Sequence, residues 1–564
     1  MDPFWHAGRT RICGFPKTGA VRTRFQLEAL SDLSDRLSKV GHSLNVRAAS
    51  TKKAFEEICE DFSVNAVFAF REVCSEELGV ERQVREVLRR RGQGQLQLFW
   101  GFELYHHDDL TFDPLRPRGA FNSYTAFRKR VEEGSKVRPT SQEAPQFRSD
   151  PNLAVRWPRA CEKLPTLKEA MGSTYDEALD PGDMKDPRAE LRWQGGETAA
   201  LARVQEYLWD DDSLGLEYVG ATMTMDTAKS CMRDKAMSKL SPWLAHGCLS
   251  PRLLYEEVKR YERERRKTKS TYWIVHELLW RDFVRFGSIQ AGTSIFKIGG
   301  PQNLHPRWKW STDREMLNKW IVGKTGFPFI DCFMRELKTT GYCNHMGRET
   351  AGWFLIGDLG LDWRMAAEWF ESVLVDYEPT ANWFNWTYRC LPAVRNDRTP
   401  GERLSGLEIL KWGTQHDPDA KYIKRWIPEL SSLPPLVARE PWRLNPESVQ
   451  WAPKKSSLRK MPFLSNSGSR KKVDEFRVGG HKPLTCLHLW HGLISLCLPK
   501  WRALVSVFLP HRRALPSSHT FCYGVDYPKP VIQPVSLMHA EDAEARARWA
   551  RANAKPQRGK ELAM

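Results

Sequence analysis

The chain has 564 residues, of which 41% are hydrophobic and 27% charged, enough for several domains with sizeable cores. Its net charge of +17 is uneven: residues 441–564 hold 21 Lys and Arg against 8 Asp and Glu (+13), leaving +4 for the first 440, so the overall basicity is weak ground for nucleic-acid binding by the folded part. The 12 cysteines form no CxxC pair and no short regular spacing, which argues against a disulfide framework or a zinc site; no metal is expected.

In chain order, residues 21–40 read as a helix, with Phe25, Ala29, Leu33, Leu37 and Val40 near one face and Gly41 ending it. Residues 43–46 read as a short strand. A helix over 51–62 leads to a strand at 66–69, and a helix over 76–91 leads to a strand at 96–100. Strand and helix alternating at this spacing predict a parallel, Rossmann-like sheet. No GxGxxG opens these helices, so dinucleotide binding there is unsupported. Residues 126–195, rich in Pro and charge, read as a linker. From 197 to about 430 the chain reads as helical, with Ser-Pro at 241–242 and 250–251 and Phe-Pro at 327–328 marking helix starts. Gly323-Lys324-Thr325 looks like the end of a P-loop, but Asn318 stands where its first glycine must be, and that reading is rejected.

No run of 18 apolar residues occurs; the nearest, from Leu484 to Leu498, is interrupted by His488 and His491. Met1 to Trp5 does not open a signal peptide. An intracellular chain with reduced thiols and no membrane contact is expected, and the sequon Asn385-Trp386-Thr387 is then a chance match.

Three groupings suggest chemistry. The stretch DYEPTANWFNWTY (376–388) packs carboxylate, amide and indole closely, which suits a planar, polar-edged aromatic ligand; alone, a loop with buried tryptophans explains it as well. Its neighbourhood favours the ligand, because residues 272–388 hold 10 of the 23 tryptophans. Glu277, Trp280 and Arg281, at i, i+3 and i+4, share one helix face. That face suits a cleft that stacks a base and holds a phosphate or flavin edge, although an amphipathic helix with a salt bridge is the simpler account of this helix alone. Arg348 and Asp376 are candidates for a buried ion pair beside a flavin ring, and spacing cannot show that they meet.

At this point a resemblance is plain. The segments STYWIVHELLWRDFVRF (270–286), GKTGFPFIDCFMRELKTTGY (323–342), DLGLDWRMAAEWFE (358–371), HDPDAKYIKRWIPEL (416–430) and the 376–388 stretch resemble the flavin-binding domain of the photolyase/cryptochrome family, nearest to its DASH branch. SKLSPWLAHGCLSPR (238–252) adds a family-like phosphate-side loop, and GFPKTGAVRTRF (14–25), FAFREV (68–73) and LYHHDDL (104–110) match the DASH pattern of the first domain. The likeness covers roughly 14–440 and resumes at Tyr527-Pro528-Lys529-Pro530-Val531-Ile532, so 443–522 reads as an insertion, either genuine or a retained non-coding segment.

The resemblance implies an α/β domain (1–125) lacking its first strand, a linker (126–195), an all-α FAD-binding domain (196–440), and a basic C-terminal region (441–564) with a family-like end at 523–552. It implies a protein that absorbs blue light and whose excited, reduced FAD passes an electron to a cyclobutane pyrimidine dimer, splitting it, in damaged, single-stranded DNA. By that likeness Ser238, Leu240 and Ser241 hold the FAD phosphates, with Ser241 as a helix N-cap. Arg281, His345, Arg348, Asp376, Glu378 and Asn382 surround the isoalloxazine ring, Asn382 facing its N5. Glu277, Trp280, Glu349 and Tyr388 line the lesion pocket, where a flipped-out dimer stacks on aromatic rings. Trp386, Trp363 and Trp310 match an electron relay; core packing is the alternative for each. A folate (methenyltetrahydrofolate) antenna and a monomeric state complete the expectation, with chloroplast, mitochondrion and nucleus all open.

The chain also departs from that pattern. It opens past the family's first strand and WFRxDLR-type motif, which predicts an exposed sheet edge and puts the antenna pocket in question. Where the family has Asn-Arg-Gly-Arg-Gln, this chain has His345-Met346-Gly347-Arg348-Glu349: Met346 carries no charge, and Glu349 is expected to repel phosphate. Glu378 replaces the usual aspartate at a ring-edge hydrogen bond, and residues 389–395 replace a Gly-rich turn beside the lesion pocket. Two alternatives to a repair lyase follow: a non-catalytic blue-light photoreceptor, and a divergent copy with impaired flavin binding.

Overall fold

The computed structural model describes residues 1–41, 43–115, 123–140, 163–177, 180, 186–212, 232, 234–303, 309–390, 406–443, 450–451, 521–522 and 526–531. The altered turn at 391–395, and most of the 443–522 insertion and the 523–552 end, lie outside the described residues.

The first part is a small α/β layer. Helix α1 (Ala20–Lys39) and helix α2 (Thr51–Asp61) precede strand β1 (Ala66–Phe70); helix α3 (Ser75–Arg90) crosses to strand β2 (Gln95–Phe99). The strands pair in parallel from Ala66↔Gln95 to Phe70↔Phe99, as a β–α–β crossover requires. One sheet face packs Val67 and Leu96 against Cys59, Val84, Val87 and Leu88 of α2 and α3. The other leaves Phe68, Phe70 and Phe99 exposed. The strand expected at 43–46 does not form. Arg47 instead ties this stretch to α2 through Glu57 and Asp61, at 2.8 and 3.5 Å. Among the described residues no third strand pairs with β1 or β2.

Helix α4 (Tyr124–Gly134) occupies the start of the stretch read as linker. Its aromatic face holds it there: Phe127 is fully buried, and the Tyr124 hydroxyl donates to the His276 carbonyl at 2.7 Å.

The second part is helical: α5 (Glu197–Val204), α6 (Ser241–Ala245), α7 (Pro251–Glu264), α8 (Lys269–Ala291), α9 (Arg314–Ile321), α10 (Pro328–Thr340), α11 (His345–Trp353), α12 (Trp363–Val373), α13 (Pro379–Asn385), α14 (Gly406–His416) and α15 (Lys421–Trp426). The Ser-Pro and Phe-Pro signals fall at the starts of α6, α7 and α10, where a missing N–H has no intrahelical partner to lose. Helix α8 runs through the middle, opened by a Thr268/Thr271 capping box and closed by Gly292. Gly287 lets α13 approach it, since a Cβ there would sit 2.5 Å from the Phe384 ring.

The two parts share one core, in which Phe25, Tyr105 and Phe127 join the helical aromatics. Polar pins reinforce it. The buried Lys17 ammonium meets Glu371 at 2.9 Å, Arg22 donates to the Glu371 and Leu374 carbonyls, and Asp282 accepts from the Leu104 and Tyr105 amides, both at 2.9 Å.

The loop that resembles a P-loop binds a carboxylate of its own. The Thr325 amide and hydroxyl and the Gly326 amide all donate to buried Asp331, at 2.9, 2.7 and 3.0 Å. Tyr527, fully buried, donates to the same carboxylate, and the Val531 amide donates to the Thr325 carbonyl. The closing motif is therefore docked on this loop. An antiparallel pair, Gln450–Trp451 with Phe521–Cys522, joins the two ends of the stretch read as an insertion.

Candidate functional site

A cavity of about 290 Å³ opens between α6, α8, α11 and α13. Ser238, Leu240, Ser241, Arg281, His345, Arg348, Asp376, Glu378 and Asn382 all line it, together with Glu277, Trp280, Glu349 and Trp386. Residues separated by up to 148 positions thus meet in one space, about the lower size limit of a small-molecule site.

One wall is built on Asp376. Arg348 Nη2 donates to both carboxylate oxygens, at 3.1 and 2.8 Å, so the ion pair that spacing left open forms. Ser241 Oγ donates to Asp376 Oδ2 at 2.6 Å. Ser241 is therefore not the N-cap expected: Leu240 holds that position, and the Ser241 hydroxyl points to Asp376 instead. Arg348 also donates from Nε to the Cys343 carbonyl and lies over the Tyr342 ring. Burial opposes its charge, yet Asp376 beside it holds its pKa above the ordinary arginine value. Nearby, burial lowers His246 to about 4, which fixes it as a neutral donor to the Val375 carbonyl at 2.9 Å.

Asn382 uses its side-chain NH2 on the Ala367 carbonyl at 3.0 Å, leaving its oxygen for a donor in the cavity. Arg281 is held by the Phe102 and Leu244 carbonyls. Glu378 lines the cavity and has a second task in the fold. It is the N-cap of α13, accepting from the Ala381 amide at 2.6 Å, and its other oxygen meets Arg285 at 3.3 Å.

The changes at 345–349 are milder than charge alone implies. Met346 is buried in the core and does not line the cavity. Glu349 is buried and meets His345 Nε2 at 3.2 Å, one helical turn away.

At the mouth, Trp280 Nε1 donates to Asn385 Oδ1 at 3.2 Å, and its ring meets Tyr388 edge-on at 5.7 Å. Tyr388 stacks on Phe384 and does not line the cavity itself. A π-helical turn from Trp386 to Cys390 continues α13 and sets Trp386 and Tyr388 at different angles from the helix. Of the relay residues, Trp386 borders the cavity and packs on Phe370; Trp363 is fully buried, its indole N–H on the Ile298 carbonyl and its ring 5.9 Å from Trp383; Trp310 is half-buried.

Sequence reasoning missed Tyr342, which lies under Arg348, and Arg285, which gathers three carboxylates behind the cavity. Arg285 stands one turn beyond Arg281 on α8, and that i+4 spacing was the available signal.

The donor set fits FAD: a guanidinium–carboxylate wall, an amide oxygen and a hydroxyl suit a polar ring edge, and apolar Leu240, Phe370 and Leu374 suit its faces. Comparison with known proteins agrees. A family model described as the FAD binding domain of DNA photolyase matches residues 273–463, and one described as DNA photolyase matches 3–146. Cryptochrome DASH, chloroplastic/mitochondrial, from Arabidopsis thaliana is 40% identical over 446 residues, covering 79% of this chain and 72% of that protein. Cryptochrome DASH from Danio rerio is 38% identical over 80% of this chain and 81% of its own. The crystal structure of a Synechocystis sp. PCC6803 cryptochrome aligns with a TM-score of 0.67 at 36% identity, covering 79% of this chain and 85% of that one. A class III photolyase from Agrobacterium tumefaciens, at 23% identity and a TM-score of 0.60, covers 80% of this chain and 84% of its own and shares the fold. The chain belongs to the photolyase/cryptochrome family, in its DASH branch, and carries that family's FAD-binding domain.

Proposed function

We propose that the protein is a blue-light-driven lyase that splits cyclobutane pyrimidine dimers in single-stranded DNA. The observation that carries this is one cavity lined by both the Arg348–Asp376 pair and Trp280. FAD, when bound and reduced, supplies the photoexcited electron; the protein supplies position and electrostatics. Arg348 and Asp376 would hold the ring edge, and Asn382 would turn its side-chain oxygen to the ring. Ser238, Leu240 and Ser241 hold the phosphate side. Trp280 would offer an aromatic face to an extruded dimer, with Tyr388 packed edge-on behind it, and exclude water from the electron step. Single strands are the better substrate because no duplex has to be unpaired.

Trp386, at the cavity edge, is the first donor of a relay through Trp363 to Trp310. Replacing Trp386 by Phe is expected to slow photoreduction of bound FAD at least tenfold; unchanged kinetics remove the relay. Illuminating the FAD-loaded, reduced protein with a dimer-containing single-stranded oligonucleotide tests the whole reading. Dimers are expected to disappear with light. Their persistence at stoichiometric FAD overturns the lyase function.

Glu349, a buried carboxylate at the cavity wall, favours a second reading: a photoreceptor that is photoreduced without repairing DNA. Photoreduction continuing while dimers persist selects it. A folate antenna is tested by adding methenyltetrahydrofolate and looking for its retained absorption band. Among the described residues no helix is long and apolar enough to cross a membrane. The organelle named for the Arabidopsis relative supports an intracellular, organellar place, which a reporter fusion tests.

A further inference from the structure

Arg285 is 4% exposed, and each of its three nitrogens meets a different carboxylate. Nη2 meets Glu72 at 3.3 Å, Nη1 meets Glu378 at 3.3 Å, and Nε meets Glu103 in a closer ion contact. The carboxylates arrive from three places: the loop after β1, the loop after β2, and the N-cap of α13, where Glu378 lines the cofactor cavity. The cluster therefore joins the α/β layer to the cavity wall.

One guanidinium balances one of these three carboxylates. Surplus charge on carboxylates this close together and largely buried is unfavourable, and binding a proton relieves it. Glu103 shows this most sharply. Its side chain is 1% exposed, and neither oxygen meets a well-aligned hydrogen-bond donor. The surroundings add more carboxylates than cations. At the start of α3, its N-cap Cys74 and Glu77 face the cluster, and Glu76 between them is paired with Lys17 at 2.7 Å. From α8, Arg281, held by two carbonyls, is a second cation that partly offsets Glu103, and Asp282 adds a fourth carboxylate. Burial, only partly offset by Arg285, raises Glu72 to about 7; burial raises Glu77 to about 7 and lifts Glu103 as well.

We propose that Glu72 and Glu103, held together with Glu378 around Arg285, form a proton-holding site behind the cavity wall, which takes up a proton when negative charge is added to the bound cofactor and returns it when that charge leaves. The inference rests on the FAD-binding reading above. The proton comes from a buffer acid in solvent: an O–H bond forms on a cluster carboxylate, the buffer's conjugate base remains outside, and no electron passes through the cluster. Glu72 is the port, its side chain 32% exposed against 14% for Glu378. Arg285 is a positioning residue that holds the three carboxylates together and acts on the cavity through Glu378.

The test is the midpoint potential of FAD in the holoprotein, measured by spectroelectrochemistry from pH 6 to 8.5. The wild type is expected to show a steeper fall of potential with pH than Glu103→Gln, whose amide is neutral throughout. Arg285→Gln is expected to move the break in the curve to higher pH, because the carboxylates lose their cation, and Arg285→Lys to restore it towards the wild-type position. Thermal unfolding of the FAD-free protein gives an independent readout that also confirms folding: Glu103→Gln is expected to flatten its pH dependence between 6 and 8. Superimposable potential–pH curves for wild type and Glu103→Gln, both folded and both holding FAD, overturn the proposal. A folded protein that retains no FAD overturns the cofactor reading instead.

Discussion

Asp376 carries two partners at once, the Arg348 guanidinium and the Ser241 hydroxyl, and so ties α11 to the start of α6 across the cavity. Replacing it by Asn keeps the shape and removes the charge that compensates a buried guanidinium. Losing one partner of a fully buried pair costs about 3–5 kcal/mol. Arg348 is 26% exposed on its side chain, and solvent lowers the expected loss to about 2–3 kcal/mol. Asp376→Asn is expected to lower the unfolding free energy of the FAD-free protein by that amount in a denaturant titration, and to weaken FAD retention at least tenfold by absorbance after gel filtration. Residue types at this site were legible from sequence because carboxylate, arginine and amide are rare company for tryptophan. Their partners were not. Glu378, expected at a ring-edge hydrogen bond, also stands before the Pro379 helix start, where one of its oxygens serves as the N-cap. Local capping chemistry acts on the side chain before any cofactor does, and a motif match does not weigh it.

At the level of elements, the closing motif shows how a short segment is held by a loop distant in sequence. Gly326 has φ of +82°, and a Cβ there would lie 2.5 Å from the backbone of Pro530. Gly326→Ala is therefore strained and obstructed together, and is expected to destabilise by more than about 1 kcal/mol. Tyr527→Phe removes a donor from buried Asp331 and is expected to cost about 1–3 kcal/mol. Both variants are expected to lower the melting temperature and to make the 526–531 segment a site of early proteolytic cleavage; cleavage as slow as in the wild type would show that the docking contributes nothing. The helix starts were legible because proline at the first turn is a local signal, independent of tertiary partners. The strand at 43–46 was misread for the opposite reason. A strand exists only where another pairs with it, and Arg47 anchors this stretch to α2 rather than to β1. The same limit hid α4, whose helix is held by aromatic contacts to α8, far along the chain.

For the whole molecule, the contact between the α/β layer and the helical part is rich in buried carboxylates, and this gives stability a direction in pH. Burial, with Glu103 beside it, pushes Asp282 up to about 8 from an ordinary 3.8, despite its two amide donors. Glu72 and Glu77 rise to about 7 at the same contact, and burial raises Glu336 to about 7 under α15. Each group holds a proton in the folded chain that it would release unfolded. The stabilisation from these protons is complete below about pH 4, near the unfolded pKa values, and is lost as pH rises through 7 and 8. A proton held tenfold more tightly in the folded chain than in the unfolded one corresponds to about 1.4 kcal/mol, so several such groups outweigh any single surface pair. The melting temperature of the FAD-free protein is expected to fall by roughly 5–10 °C between pH 6 and 8.5 at constant ionic strength. Asp282→Asn keeps an acceptor for one of the Leu104 and Tyr105 amides, sets its NH2 against the other, and removes the titration; it is expected to lower the melting temperature overall and to reduce that fall with pH. A melting temperature that is flat or rising across this range would mean that these carboxylates are ionised in the folded protein at neutral pH, and that water or a bound cation reaches the contact between the two parts.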